Sequence, residues 1–235
     1  MNRIRRMVYA AYLCVLLGMT SSLCADGGET PACALGSELR KAVGFGPCVL
    51  ATLGVDAENH AAIATLATTY CNQHRETVEP LIEAVTNARA NAFRQYETNG
   101  DVESADQAVI NAANALAASC SSVVTSMHNE LSARQKTLRA RFAANPLLDV
   151  NLGLLDLTEA QRNTLRTAQR TRDLIHKHHK NRKNLNHVRQ AQEIFETSVA
   201  EVLTTEQGTL SATLLSTMQQ NIGDITDREK TLCGE

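Results

Sequence analysis

Residues 110–131 read INAANALAASCSSVVTSMHNEL, and their apolar positions decide the fold class. Ile110, Ala113, Ala117, Cys120, Val124, Met127 and Leu131 recur at alternating steps of three and four. That is an a/d seam, the pattern of a helix packed against other helices. Upstream, Ile63, Leu66, Tyr70, Val78, Leu81 and Val85 keep helical spacing with a gap near His74. Pro80 is expected to end or kink that helix, because proline lacks the N–H that an interior turn uses. The next helix is predicted to run to about Gln95, before a turn at Thr98-Asn99-Gly100-Asp101. Downstream, Ala143-Ala144-Asn145-Pro146 breaks the chain, and the step to Asp156 reads as loop. No stretch alternates with period two. The fold class is all-α.

Composition points the same way. The 235 residues are 43% hydrophobic but only 3% aromatic, with no Trp, 12 Gly and 4 Pro. A core made mainly of Ala, Leu, Ile and Val, with few turn formers, suits helices better than a β-sandwich or barrel. A formal net charge of −2 excludes a chain that is basic throughout and wraps nucleic acid.

Residues 1–25 read as a secretory signal: Arg3, Arg5 and Arg6 precede an apolar run of 12 residues from Val8 to Met19, followed by small residues to Ala25. That run is shorter than the roughly 20 residues a membrane span needs, so no stable span is expected. Cys24 raises lipid anchoring, but Ser21 stands where a lipobox carries an aliphatic residue, and cleavage after Ala25 is the preferred reading. Loss of the signal takes three arginines and no acid, which leaves 20 basic against 25 acidic residues, a net of −5. Cys33, Cys48, Cys71, Cys120 and Cys233 remain, an odd number outside the cytosol, with no C-x-x-C among them. Their connectivity does not follow from spacing.

The helix starts share one form. Leu157-Thr158-Glu159-Ala160-Gln161 and Leu203-Thr204-Thr205-Glu206-Gln207 each place Thr three residues before Gln, and Leu131-Ser132-Ala133-Arg134-Gln135 does so with Ser. This is the capping-box arrangement, in which hydroxyl and amide each satisfy a backbone N–H that the first turn leaves open. An eroded copy at Val55-Asp56-Ala57-Glu58-Asn59 aligns with Leu157–Gln161 at an offset of 102, which also aligns Leu53 with Leu155 and Ile63 with Leu165. Leu131 aligns with Leu203, and Leu138 with Leu210, at an offset of 72. The expected organisation is a loop segment over 26–49, two related helical halves over 50–143 and 150–222, and a tail over 223–235.

With these motifs the chain resembles the LTXXQ-motif family of bacterial envelope proteins, the Spy and CpxP group. The resemblance implies an all-helical periplasmic protein in a thin hairpin or cradle, which family members build as antiparallel homodimers. Here one chain would supply both halves of the cradle. It further implies ATP-independent binding of unfolded or misfolded polypeptides under envelope stress. Relatives that bind zinc or other heavy metals make a metal sensor or buffer the first alternative. A non-catalytic helical interaction protein is the second.

Charge is uneven. Between Arg162 and Arg189 nine basic residues face one acid, Asp173, so the segment carries +8 and the rest of the mature chain −13. On a continuous helix Leu165, Ala168, Arg172, Ile175, His179 and Arg182 share a stripe. Buried lone charges are costly, so such a stripe suits an exposed surface for client polypeptides. Leu165, Arg166, Arg170, Arg172, Ile175 and Arg182 are the candidate client-binding residues. The plainer alternative is a solvated face, or one neutralised by the acidic half. His176 and His179, three apart, are the candidate metal ligands, but Arg172, Lys177, Lys180 and Lys183 surround them and no nearby carboxylate or thiol completes a set. His60, His74 and His128 are isolated, and Glu76, Glu79 and Glu83 read as a solvated face. Gly44-Phe45-Gly46-Pro47-Cys48 lacks the third glycine of a dinucleotide fingerprint and reads as loop. No hydrolase, nucleotide or zinc-protease motif is present, so the expectation is a protein that is not an enzyme, uses no cofactor and binds no nucleic acid.

Overall fold

A computed structural model describes residues 31–180 and 185–233. Those residues form eleven helices and no strand, the all-α fold that the periodicity required. In order they are α1 (Pro31–Ala42), α2 (Pro47–Thr52), α3 (Ala57–Gln73), α4 (Arg75–Thr98), α5 (Val102–Ser119) and α6 (Ser121–Asn129). After them come α7 (Ala133–Ala144), α8 (Val150–Gly153), α9 (Glu159–Lys180), α10 (Leu185–Val202) and α11 (Thr205–Cys233).

Local chemistry sets most of the boundaries. Asp56 opens α3 and Asp101 opens α5, each carboxylate accepting from the backbone N–H three residues on. Asn99 closes α4 in the left-handed region at φ 52°, which asparagine tolerates better than most residues. Gly54 follows α2 at φ +64°, with its N–H donating to the Ala51 carbonyl and the Val55 N–H to that of Leu50, both at 3.1 Å. This is a Schellman-type stop that glycine enters without strain.

The amphipathic faces pair helix on helix. α4 and α5 form one antiparallel hairpin and α9 with α10 another, α1 lies on α3, and α3 packs against α6. A single core cluster draws on both halves, with Leu50, Ile63 and Leu116 beside Leu155, Leu165, Phe195 and Leu214. Each such side chain contributes about 1.5–3 kcal/mol relative to exposure.

The halves also exchange their last helices. α11 of the second half packs along α2 of the first, and α7 of the first packs against α8 of the second. The Asn221 amide donates to the Ala51 carbonyl at 3.4 Å, and the Asn145 amide to the Gly153 carbonyl at 3.3 Å. Ala51 and Gly153 are separated by the same 102 residues as the cap motifs. At Gly153 a Cβ would lie 2.7 Å from the Phe142 ring, so the crossing of α7 over α8 needs glycine.

Several expected boundaries move. Residues 26–49 are not a loop where described, since α1 and the start of α2 occupy them and Phe45 between the two is fully buried. The 223–235 stretch continues α11 to Cys233 and is not a separate tail. The break between the first two long helices falls at His74, and Pro80 sits inside α4. Near the helix start Pro80 is exposed and removes one backbone bond, so the helix carries it. The apolar seam over 110–131 is two helices bent by 84° at Cys120. Ser119, Cys120, Ser121 and Ser122 are weak helix formers, and Leu116 and Cys120 before the bend and Val123 and Met127 after it all point into one core. No single described helix is long and apolar enough to cross a membrane; α5 with α6 meets the length and composition test only as this bent pair. The 1–25 signal and Cys24 lie outside the described residues.

Candidate functional site

The capping boxes are built as their sequence requires. Ser132 and Gln135 close one at α7: the Ser132 N–H donates to Gln135 Oε1 at 2.9 Å and the Gln135 N–H to Ser132 Oγ at 3.4 Å. Thr158 with Gln161 and Thr204 with Gln207 form the same reciprocal bonds at 2.9 to 3.3 Å. Leu131 and Leu157 are buried beneath their caps and Leu203 is half-buried.

Each glutamine then does something the local motif does not imply. Gln161 Nε2 donates to the Val202 carbonyl and to Gln207 Oε1, both at 2.9 Å, and Gln207 Nε2 donates to the Asp156 carbonyl at 2.6 Å. The starts of α9 and α11 are therefore cross-linked through their caps. In the first half Gln135 Nε2 reaches the Leu53 and Gly54 carbonyls at 3.1 and 3.2 Å, ahead of the cap of α3. Gly54, Asp156 and Val202 all stand two residues before an N-cap, so one linkage recurs in both halves. Asn59, the shorter counterpart of Gln161, donates to its own cap residue Asp56 at 2.9 Å.

The basic helix α9 does not present the exposed cationic stripe expected of it. Leu165 is fully buried in the core, and Arg172 is only 2% exposed. Arg172 bonds both oxygens of Asp149, at 2.6 and 3.1 Å, bonds Asp173 with Nε and Nη2, and lies 4.3 Å over the Phe195 ring. Gln169 positions Asp149 by accepting from its N–H at 2.8 Å while donating to the Leu147 carbonyl at 3.2 Å. Arg170 pairs with Asp106 of α5, which also accepts from the Tyr96 hydroxyl. Lys177 pairs with Glu97 at 2.7 Å and sits 4.2 Å over the Phe93 ring. Three of the nine cations of the run, Arg170, Arg172 and Lys177, are thus neutralised by carboxylates of the acidic half and by Asp149. That replaces the client-facing reading for Leu165, Arg170 and Arg172. Arg166 and Ile175 are half-buried, and Arg182 lies outside the described residues.

Two carboxylates share the Arg172 guanidinium, and the surplus charge shows in Asp173. Burial, with the nearby Asp149 charge, pushes its carboxyl up to about 6 against the pull of Arg172. Burial together with the Arg172 charge lowers the basicity of His176, which is itself buried. A histidine beside a buried guanidinium is a poor cation ligand, and no group of three or more metal-binding side chains occurs among the described residues. The His179 side chain lies outside the described residues.

Three partners of the basic helix escaped the sequence reading: Asp149, Asp106 and Glu97 lie 23, 64 and 80 residues from the cations they meet. No local spacing marks such pairs. The expectation that the acidic half would neutralise the helix was the nearest signal. Comparison with family models, with curated proteins and with solved structures returns no match for this chain.

Proposed function

We propose that this chain is an exported, non-catalytic helical protein that holds unfolded polypeptide without nucleotide, in the manner of the LTXXQ proteins it resembles. The observation that carries the reading is the cap linkage. Both Leu-Thr-x-x-Gln motifs fold as capping boxes and bond each other through Gln161 and Gln207. The disulfide at Cys33 supports export, since such bonds persist in oxidising compartments. Half-buried Arg162, Arg166 and Ile175, with the exposed Ile194, are the described positions through which α9 and α10 would meet a client.

The test uses the mature protein from Asp26, without nucleotide, and follows light scattering of an aggregating unrelated client at near-equimolar ratio. Suppression is expected, fading as salt rises and falling in the Arg162→Ser/Arg166→Ser variant. No suppression at any ratio sinks the reading. One observation favours a helical adaptor instead: Ile194 is the single large apolar side chain described as exposed, a sparse surface for varied clients. A stoichiometric complex with one folded partner, and no suppression, would establish that adaptor role.

A further inference from the structure

Two buried thiols share the core of the first half. Cys71 lies in the last turn of α3, and Cys120 is the residue at which α5 bends into α6. Both are fully buried, both belong to the main core cluster, and both are thiols in this structure. α3 and α6 pack directly, and the Tyr70 hydroxyl reaches the Ser119 carbonyl at 3.4 Å, joining the residues that immediately precede the two cysteines.

We propose that Cys71 and Cys120 form an oxidisable pair that closes into a disulfide, tying the end of α3 to the α5–α6 bend. The oxidant required is another disulfide, either a small-molecule one or that of an oxidoreductase. One thiol loses its proton and attacks a sulfur of the oxidant, whose other sulfur leaves as a thiol. The second cysteine then displaces the remaining oxidant sulfur from this mixed disulfide. The two cysteines give up two protons and two electrons, and the oxidant ends as two thiols.

The surroundings make the step gated. Burial pushes the Cys71 thiol up to about 12, with the neighbouring Cys120 charge adding to the rise, and burial raises Cys120 as well. Thiolate is the reacting form, so the closed core resists oxidation until the bend opens. Once formed, the bond would hold the α4–α5 hairpin fixed on α3. The exported compartment invoked above supplies the oxidant, but the pairing itself rests on packing and stands whether or not polypeptide is held.

The experiment uses the full mature protein, first reduced and then incubated with oxidised glutathione, with and without urea below its unfolding midpoint. Thiols are alkylated in denaturant, and the digest is read by mass spectrometry. A linked peptide pair carrying Cys71 and Cys120 is expected. It should form several-fold faster in urea, vanish on reduction and be absent from Cys120→Ser. Oxidised wild type should also melt at a higher temperature than its reduced form, a shift absent in that variant. Full alkylation of both cysteines after oxidation, with the Cys33 disulfide re-formed as the control, overturns the proposal. So does a bond from either one to Cys48.

Discussion

The two halves share a frame and differ in what fills it. Each has a capped helix, α3 or α9, whose start is bonded to a glutamine at the second cap of its half. At the offset of 102 residues, Tyr70 and Cys71 in α3 stand where Arg172 and Asp173 stand in α9. The first pair belongs to an apolar core with buried thiols, and the second to a buried ionic cluster with Asp149. Backbone caps have few chemical solutions and persist across the repeat. Core contents only have to fill and satisfy their space, and here they differ.

The largest break in that comparison is expected at Arg172. Arg172→Met leaves the buried Asp149 and the partly buried Asp173 without their cation and removes the contact with Phe195. We expect about 3–5 kcal/mol lower unfolding free energy by urea titration at neutral pH. Arg172→Met with Asp149→Asn and Asp173→Asn should recover most of that loss. Tyr70→Phe, at the equivalent place in α3, should cost about 1 kcal/mol, because its half-buried hydroxyl makes a long bond to the Ser119 carbonyl and its other contacts, with Cys120 and Ser122, are to neutral groups. Equal losses in the two halves would mean that the ionic cluster is not what holds the second.

Acid tests the same cluster more gently. Folding raises the Asp173 carboxyl from the ordinary range near 4 to about 6, so the native state keeps its proton to higher pH than the unfolded chain does. Its contribution to stability is therefore fully present below about pH 4 and is lost as pH rises through about 6. The slope should amount to about 2 kcal/mol, read from urea midpoints between pH 4 and 7. It should flatten in Asp173→Asn. A slope that survives this substitution would place the titrating group elsewhere.

How much could be read in advance follows the same division. Caps depend on residues three apart, so Thr158 with Gln161 and Thr204 with Gln207 are visible in the sequence, and so are the offsets between the motifs. The fates of Arg170 and Arg172 are not, because a run of cations looks alike in sequence whether it faces solvent or a carboxylate far along the chain. The bend at Cys120 hid for a related reason. Its seam stays in register through the turn, and only the serines around it hinted at a break. The N-terminal helices are hidden because Gly44, Gly46 and Pro47 resemble loop composition. Gly36 lies where a Cβ would press within 3.0 Å of the Thr68 backbone, so it marks helix contact.

The reciprocal glutamine link should show as coupling. Gln161→Ala and Gln207→Ala each remove a cap bond and a donor to a carbonyl ahead of the other helix, at about 1–2 kcal/mol apiece. They also share the bond between their side chains, so the double variant should lose about 1 kcal/mol less than the two losses combined. The corresponding cycle of Asn59→Ala with Gln135→Ala should be additive, because Asn59 bonds only Asp56. Additivity in both halves would deny the cross-link any energetic role.

The smallest effect sharpens the comparison most, because it asks whether the first half can be given what it lacks. Gln161 reaches the Val202 carbonyl, and the counterpart of Val202 at the offset of 72 is Glu130. Asn59→Gln gives this position the side chain of Gln161, whose amide meets Gln207 Oε1, so the new amide is expected to meet Gln135 Oε1 while its oxygen turns to the Asp56 N–H. One added hydrogen bond, offset by the ordering of a longer side chain, should raise stability by about 0.5 kcal/mol. A melting-temperature increase of about 1–3 °C would register it. The gain should disappear when Gln135→Ala is added, since the new amide needs the opposing glutamine to complete the link. A gain that persists without Gln135 would come from helix propensity alone, and the two halves would then be alike in sequence offset but not in linkage.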